Sequence, residues 1–203
     1  MLQKSPIGVS KMFLLGIFLL VSVCGSQAGS EKSLESFLVH ELVPDILSHP
    51  PASLLAVSFP SGVDVLEGNE LTIEEVEGLP LMNWGAEEGV CYTIIMCDAD
   101  APSRADPSGR SFLHWLVTNA QQDDVNSGDT LVDILNSHPG PGTGLHRYVF
   151  LVYRQAGKLT IEDSTPNATF EGRVNFSPDV FGAKYKLGDP IAGNFYQTQN
   201  YEE

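Results

Sequence analysis

Residues 90–118 constrain the fold more than any other part of the sequence. They comprise two apolar runs, residues 90–96 and 112–118, joined by a loop rich in Asp, Pro and Gly. An uncharged run bounded by turn residues, such as the first, is typical of a strand buried on both faces. The stretch therefore predicts two consecutive strands, of which the first is buried on both faces.

Polar side chains occur where these and later runs begin or end. Asp98 and Asp100 follow the first run, and because they are two residues apart we expect them on the same face, about 7 Å apart, if the strand persists. The second run carries His114 among apolar neighbours. A further strand-like run, residues 145–153, places His146 and Tyr148 on one face beside the Pro/Gly loop of residues 138–144.

Together these groups predict a small pocket with a polar floor. Amides of a glycine loop suit phosphate oxygens and carboxylates suit an ammonium, so an anionic or zwitterionic head group fits. Structural roles compete with this interpretation. Either aspartate can be a turn cap, and His114 can be a core residue. Arg104 can form an internal ion pair with Asp106, and Arg147 one with either Asp98 or Asp100. From the residues alone both interpretations stay open.

An enzyme is the rival functional class, since two carboxylates with histidines can ligate a metal or act as acid and base. The two aspartates, however, lie on one strand rather than across a cleft. The sequence also lacks a G-x-S-x-G elbow, an H-E-x-x-H motif and a P-loop. Cys91 and Cys97 lie on the predicted buried strand, about 20 Å apart, so we expect two buried thiols that neither react nor form a disulfide. A non-enzymatic protein is favoured.

The N-terminal residues predict secretion. Lys4 and Lys11 precede an apolar segment, residues 12–23, and the small residues before Ala28, which is the pattern of a signal peptide spanning residues 1–28. The apolar segment is shorter than the ~20 residues of a membrane span; a retained signal anchor is the alternative. Residues 29–203 would then form one soluble domain, expected to be monomeric and without stable membrane insertion.

The negative net charge disfavours two kinds of partner, nucleic acids and anionic membranes. Beyond residue 28 the chain has nine of its 11 basic residues and all 26 acidic ones, a formal charge of −17. Such a balance disfavours nucleic-acid binding and attraction to anionic membranes, both of which depend on Lys and Arg. Asn167 and Asn175 begin glycosylation sequons that suit a secreted chain, the second weakened by Pro178.

The remaining segments predict an all-β sandwich with few helices. Short strand-like runs at residues 54–59, 62–65 and 70–73 are separated by turn residues, brief pairing is expected at residues 132–136, and a final strand at residues 192–198. Helical spacing at residues 32–42 and a helix start at Ser177 predict two short helices.

Two segments closely resemble the signature motifs of the phosphatidylethanolamine-binding protein family. They are residues 98–104, Asp-Ala-Asp-Ala-Pro-Ser-Arg, followed by the strand with His114, and residues 142–148, Gly-Thr-Gly-Leu-His-Arg-Tyr, which lead into an apolar strand. Weaker similarity extends over nearly all of residues 29–203. The resemblance implies a mainly β fold, a two-sheet antiparallel β-sandwich with a few short helices, and an anion-binding pocket at one end without metal or cofactor.

Carried over by position, the resemblance implies a set of ligand-binding residues and a cis Ala101–Pro102 bond. The set comprises Asp98, Asp100, Pro102, His114, Pro139, Gly140, His146, Tyr148 and Tyr196. The implied ligands are phospholipid head groups like that of phosphatidylethanolamine, or other small anionic or hydrophobic molecules, as in an odorant or lipid carrier. The alternative is an inhibitor that acts by protein–protein contact on a serine protease or on a kinase pathway. Inhibition of a kinase pathway is the less favoured of these two roles, because a secreted chain does not readily meet a cytosolic kinase.

Three departures from the family pattern concern the pocket. Ala99 replaces the usual proline between the aspartates, and Gly140 interrupts a pair of prolines common in relatives. Seven residues follow Tyr196, too few for the C-terminal helix that mammalian members place near the pocket mouth. We therefore expect a less covered pocket that admits a larger or more hydrophobic ligand.

Overall fold

A computed structural model describes residues 35–162 and 166–202; the predicted signal peptide lies outside this part of the chain. The strands are β1 (Ala56–Ser58), β2 (Leu81–Asn83), β3 (Tyr92–Asp98), β4 (Phe112–Ala120), β5 (Asp129–Val132), β6 (His146–Arg154) and β7 (Ala192–Thr198). The helices are α1 (residues 35–39), α2 (Leu42–Asp45), α3 (Phe170–Arg173) and α4 (Pro178–Lys184), with a 3-10 turn at Val125–Ser127. Across the residues described, no helix has the length and apolar character needed to span a membrane.

Five antiparallel strands form the main sheet in the order β5-β4-β3-β6-β7, and β1 pairs with β2 in a smaller antiparallel sheet. All seven residues of β3 are buried, because the small sheet covers one face of β3 and helices cover the other. Met96 belongs to the core on the first face with Val57, and Cys97 to the core on the second face with Phe37 and Phe181. The predicted doubly buried strand and mainly β two-sheet fold are confirmed.

Several local predictions are also confirmed. Helix α4 begins where expected, with the Ser177 side chain accepting a hydrogen bond from the Val180 amide, and β7 occupies the predicted residues. These segments carry strong signals, since Ser followed by Pro is a frequent start of a helix and β7 is a long run with few charges.

The shortest segments differ from the predictions. Residues 62–65 and 70–73 contribute only the single bridges Ser58–Asp64 and Glu70–Gln197, whereas β2 had no recognised signal. The expected helix over residues 32–42, described only from residue 35, ends at residue 39, because Glu41 takes a φ of 59° and α2 starts a separate turn. Strand β5 lies at residues 129–132 rather than 132–136. In runs this short, neighbouring elements decide pairing more than local preference does.

Candidate ligand-binding site

A cavity of about 610 Å³ lies at the end of the main sheet where β3 ends and β6 begins. Three segments form its wall: the loop of residues 99–111, the loop of residues 133–145, and the α3 region. The lining residues are Asp98, Ala101, Pro102, Ser108, Gly109, Phe112, His114, Leu135, Asn136, His138, Pro139, Gly140, Thr143, His146, Tyr148, Phe170, Val174 and Asn175. The volume falls within the range of about 300–1,000 Å³ that holds drug-sized ligands.

An Asp98–His146 pair forms part of the floor. The antiparallel register sets Asp98 opposite Tyr148, and His146, two residues before Tyr148, shares its face. His146 Nδ1 lies 2.7 Å from Asp98 Oδ2 and donates to it, while Nε2 lies 2.9 Å from the hydroxyl of Thr143. The Thr143 side chain also bonds the Gly140 carbonyl, so the Pro/Gly loop is tied to the floor.

A β-bulge directs His114 into the cavity. In the β3–β4 ladder Met96 pairs with Trp115 but Cys97 pairs with Leu113, which leaves His114 as the extra residue. A bulge re-aims a side chain in this way, and the His114 ring meets the Tyr148 ring edge-on with 5.1 Å between ring centroids.

His114 is neutral at pH 7. Its Nδ1 lies 2.8 Å from the carbonyl oxygen of Leu135, so Nδ1 carries the proton and Nε2 is an acceptor. Burial lowers the pKa of His114, and the hydrogen bond to Leu135 opposes this only in part. The floor therefore offers an imidazole acceptor beside the Tyr148 phenol.

Tyr148 and Tyr196 are stacked phenols of which only Tyr148 lines the cavity. Their ring centroids are 5.4 Å apart with planes at 14°. Burial raises the pKa of both, and the negative charge of Asp98 adds to the effect, so both keep their protons. Tyr196 is fully buried and its hydroxyl bonds that of Ser137. Tyr196, predicted to be a ligand-binding residue, is not among the residues that line the cavity and supports Tyr148 from behind.

Asp100, predicted to be a ligand-binding residue and to share a face with Asp98 if the strand persists, is not among the residues that line the cavity. Strand β3 ends at Asp98 and a turn follows, in which Asp98 Oδ1 accepts the Asp100 amide at 2.7 Å. Asp100 is fully buried and accepts from the amide and Nε of Arg147, at 2.9 and 2.8 Å. Arg147 lies between His146 and Tyr148 on β6 and so points to the opposite face of the sheet.

The Arg147–Asp100 pair is a structural ion pair, one of the structural roles that the sequence left open. Arg147 is fully buried and also bonds Asp45, at 2.7 Å, and the carbonyl of His40, so the pair anchors the N-terminal helical segment. Burial opposes the ionisation of Asp100, but the hydrogen bonds and charge of Arg147 outweigh it and lower the pKa of Asp100.

The loop after β3 agrees with the sequence in one respect and not in another. The Ala101–Pro102 bond is cis, as implied, and Pro102 lines the cavity along with Pro139 and Gly140. Arg104, however, pairs with Glu41 at 2.7 Å, not with Asp106, because the N-terminal segment packs beside this loop.

Sequence reasoning missed the apolar side of the cavity. Phe112, Leu135, Phe170 and Val174 all line it. Phe170 and Val174 are four residues apart, a spacing that places two side chains on one helix face. That spacing was the available signal, but nothing local indicated that α3 would pack against the end of β4.

Neither cysteine contributes to the site. Cys91 and Cys97 are free and buried, as predicted, and burial raises the pKa of Cys97 to about 12. The described residues contain no group of three or more side chains arranged to hold a metal ion.

A family model described as Phosphatidylethanolamine-binding protein matches residues 61–195. A Drosophila melanogaster protein named "Putative odorant-binding protein A5" is 33% identical over 88% of this chain and 86% of its own length. The "26 kDa secreted antigen" of Toxocara canis is 36% identical over 80% of this chain but only 63% of its own length.

A solved structure supports the fold. The carboxypeptidase Y inhibitor, crystallised with its cognate proteinase, superposes with a TM-score of 0.71 over 84% of this chain and 96% of that one, at 23% identity. At this identity the likeness concerns the fold alone.

Proposed function

This chain belongs to the phosphatidylethanolamine-binding protein family, and we propose that it is a secreted, non-enzymatic protein that binds phospholipid head groups or other small anionic or hydrophobic ligands in the cavity beside Asp98. The observation that carries the proposal is the polar floor. His146 and Tyr148 from β6, Asp98 from β3 and His114 from β4 converge there beneath an open volume of about 610 Å³.

The floor suits a polar group held by hydrogen bonds. Tyr148 keeps its proton and can donate, His114 can accept, and the Asp98 carboxylate suits an ammonium. Within the described part of the lining there is no Lys or Arg, so an anion would rely on neutral donors such as the phenol and backbone amides.

Calorimetric titration with phosphoethanolamine tests the proposal. Tyr148→Phe removes one hydroxyl from the floor, whereas Tyr153→Phe removes the hydroxyl of another buried tyrosine of β6 that faces the opposite core and has no hydrogen-bond partner. We expect Tyr148→Phe to weaken binding about tenfold, the loss of roughly one hydrogen bond to a charged group, and Tyr153→Phe to leave it unchanged. Equal affinities for the wild type and Tyr148→Phe would contradict the proposed floor.

Secretion and carriage of a small ligand accord with the names of the two relatives, one an odorant-binding protein and the other a secreted antigen. Inhibition of a protease is the alternative, and it rests on the inhibitor that shares the fold. A titration against serine proteases separates the two: inhibition that persists in Tyr148→Phe would place the function on a surface rather than in the cavity.

A further inference from the structure

Two exposed large apolar side chains flank the mouth of the cavity. Phe170 is 68% exposed and Leu135 is 46% exposed, and both are lining residues. Large apolar side chains beside a concave site favour contact with an apolar ligand more than scattered ones do.

An aromatic path connects the rim of the cavity, formed by Phe170 and Leu135, with its floor. The ring centroid of Phe170 lies 5.8 Å from that of Phe112, which lies 5.3 Å from His114, which in turn lies 5.1 Å from Tyr148. Exposure falls along this path from 68% at Phe170 to 1% at Tyr148. A ligand that touches both ends must be polar at its inner end and apolar over the rest.

Hydrogen bonds at and beside His114, a floor residue, hold Phe170 and Leu135 in place. Arg173 of α3 donates to the carbonyls of Leu113 and His114 at 2.9 and 3.0 Å, which ties Phe170 to β4. Leu135 donates its amide to the His114 carbonyl at 3.0 Å and accepts from the His114 ring. The exposed positions of Phe170 and Leu135 are thus set by the same hydrogen bonds that place His114.

The rim does not resemble a membrane-binding surface. Surface helices that bind membranes present a long apolar face flanked by Lys and Arg, whereas α3 has four residues and the cavity lining within the described chain has no Lys or Arg. The rim therefore suits a single ligand molecule bound in the cavity rather than a membrane surface.

We infer that the ligand is a small amphiphile with a single apolar body, and that Phe170 and Leu135 determine specificity by covering this body while its polar end reaches Asp98, His114, His146 and Tyr148. The inference rests on the proposed function and adds that most of the affinity comes from the apolar contact. A polar head group alone then binds weakly.

Methyl phosphate and octyl phosphate test the inference, because they share a polar end and differ only in the apolar chain. We expect wild type to bind octyl phosphate at least tenfold more tightly than methyl phosphate. Phe170→Ser should lower the affinity for octyl phosphate about tenfold, the order expected when the partial burial of one large apolar side chain is lost, and leave that for methyl phosphate unchanged. Val180→Ser is the matched control, since Val180 is also 68% exposed but lies on α4, outside the cavity.

The outcomes separate the inference from the proposed function. Equal binding of the two phosphates, or octyl phosphate affinity that Phe170→Ser does not change, overturns the inference and leaves the proposed function standing. No binding of either phosphate overturns the inference, and the proposed function falls with it only if phosphoethanolamine does not bind either. A third outcome is that the wild type co-floats with phosphatidylethanolamine vesicles, Phe170→Ser does not, and dissolved octyl phosphate does not bind. The rim would then be a membrane contact, and the inference would be overturned as well.

Discussion

At the scale of single residues, neighbours in sequence have opposite roles. His146 and Tyr148 face the cavity, whereas Arg147 between them holds Asp100 in a buried ion pair on the far side of the sheet. The same division separates Asp98, which faces the cavity, from Asp100. One segment of strand therefore places its even residues at the cavity and contributes to stability through Arg147.

Asp100→Asn tests the structural half of this division. The variant leaves the buried guanidinium of Arg147 with less compensating charge, so we expect the free energy of unfolding to fall by about 3 kcal/mol in urea titrations. Arg154→Met is the control, because its pair with Glu87 is exposed and exposed pairs contribute little. A loss for Asp100→Asn no larger than that for the control would contradict a structural role.

His114 predicts a pH dependence of stability. Because burial holds its pKa below the ordinary value of 6.5, the unfolded chain takes up a proton as the pH falls below about 6.5 while the folded protein does not. Wild type should therefore lose stability relative to His114→Gln between pH 6.5 and the lower folded pKa, and show no such trend above pH 7. Thermal unfolding at a series of pH values measures the difference, and parallel curves would refute a buried neutral histidine.

At the scale of elements, the cavity depends on α3, which is only four residues long and so needs tertiary contacts to form. Arg173 supplies them through hydrogen bonds to the carbonyls of Leu113, His114 and Asp133. These bonds join α3 to β4 and to the chain after β5, so one side chain links two walls of the cavity.

Arg173→Met should lower the free energy of unfolding by roughly 2–4 kcal/mol, because it leaves buried carbonyls without a charged donor. It should also weaken the binding of octyl phosphate through the displacement of Phe170. Hydrogen exchange provides the local measurement: faster exchange confined to α3 and the adjoining loop is expected, and unchanged exchange there would contradict the anchoring role.

The accuracy of the sequence predictions also varies with the element. Strands β3, β4 and β6 are recognisable because long apolar runs must be buried, and β7 because its seven residues carry no charge. The faces of Asp98 and Asp100 were not predictable, since the period-two rule applies only while the strand continues and β3 ends at Asp98. The bulge at His114 and the packing of α3 beside β4 depend on contacts between distant segments, which a local pattern does not contain.

At the scale of the whole molecule, the described residues are held together by two cores rather than by disulfides. One core lies between the sheets and the other beneath the helices, and both described cysteines are free. This arrangement should persist in an oxidising environment, because burial keeps Cys97 a thiol.

Expression of the full chain in a secreting eukaryotic cell tests the predicted processing. We expect protein in the medium that begins near residue 29, with two thiols that resist iodoacetamide at pH 8 in the native state and react after denaturation. Intact-mass measurement before and after endoglycosidase treatment reports on Asn167 and Asn175. Membrane-bound protein that retains residues 1–28 would instead indicate a signal anchor.

Native mass spectrometry of the protein purified from a secreting source tests the central claim, that the cavity carries a small ligand, most directly. The account predicts a noncovalently retained molecule on wild type and on Tyr153→Phe, and its loss from His114→Ala and Tyr148→Phe. Wild type that is empty and stays empty when offered phosphoethanolamine lipids and octyl phosphate, or variants that retain the molecule as wild type does, would contradict it.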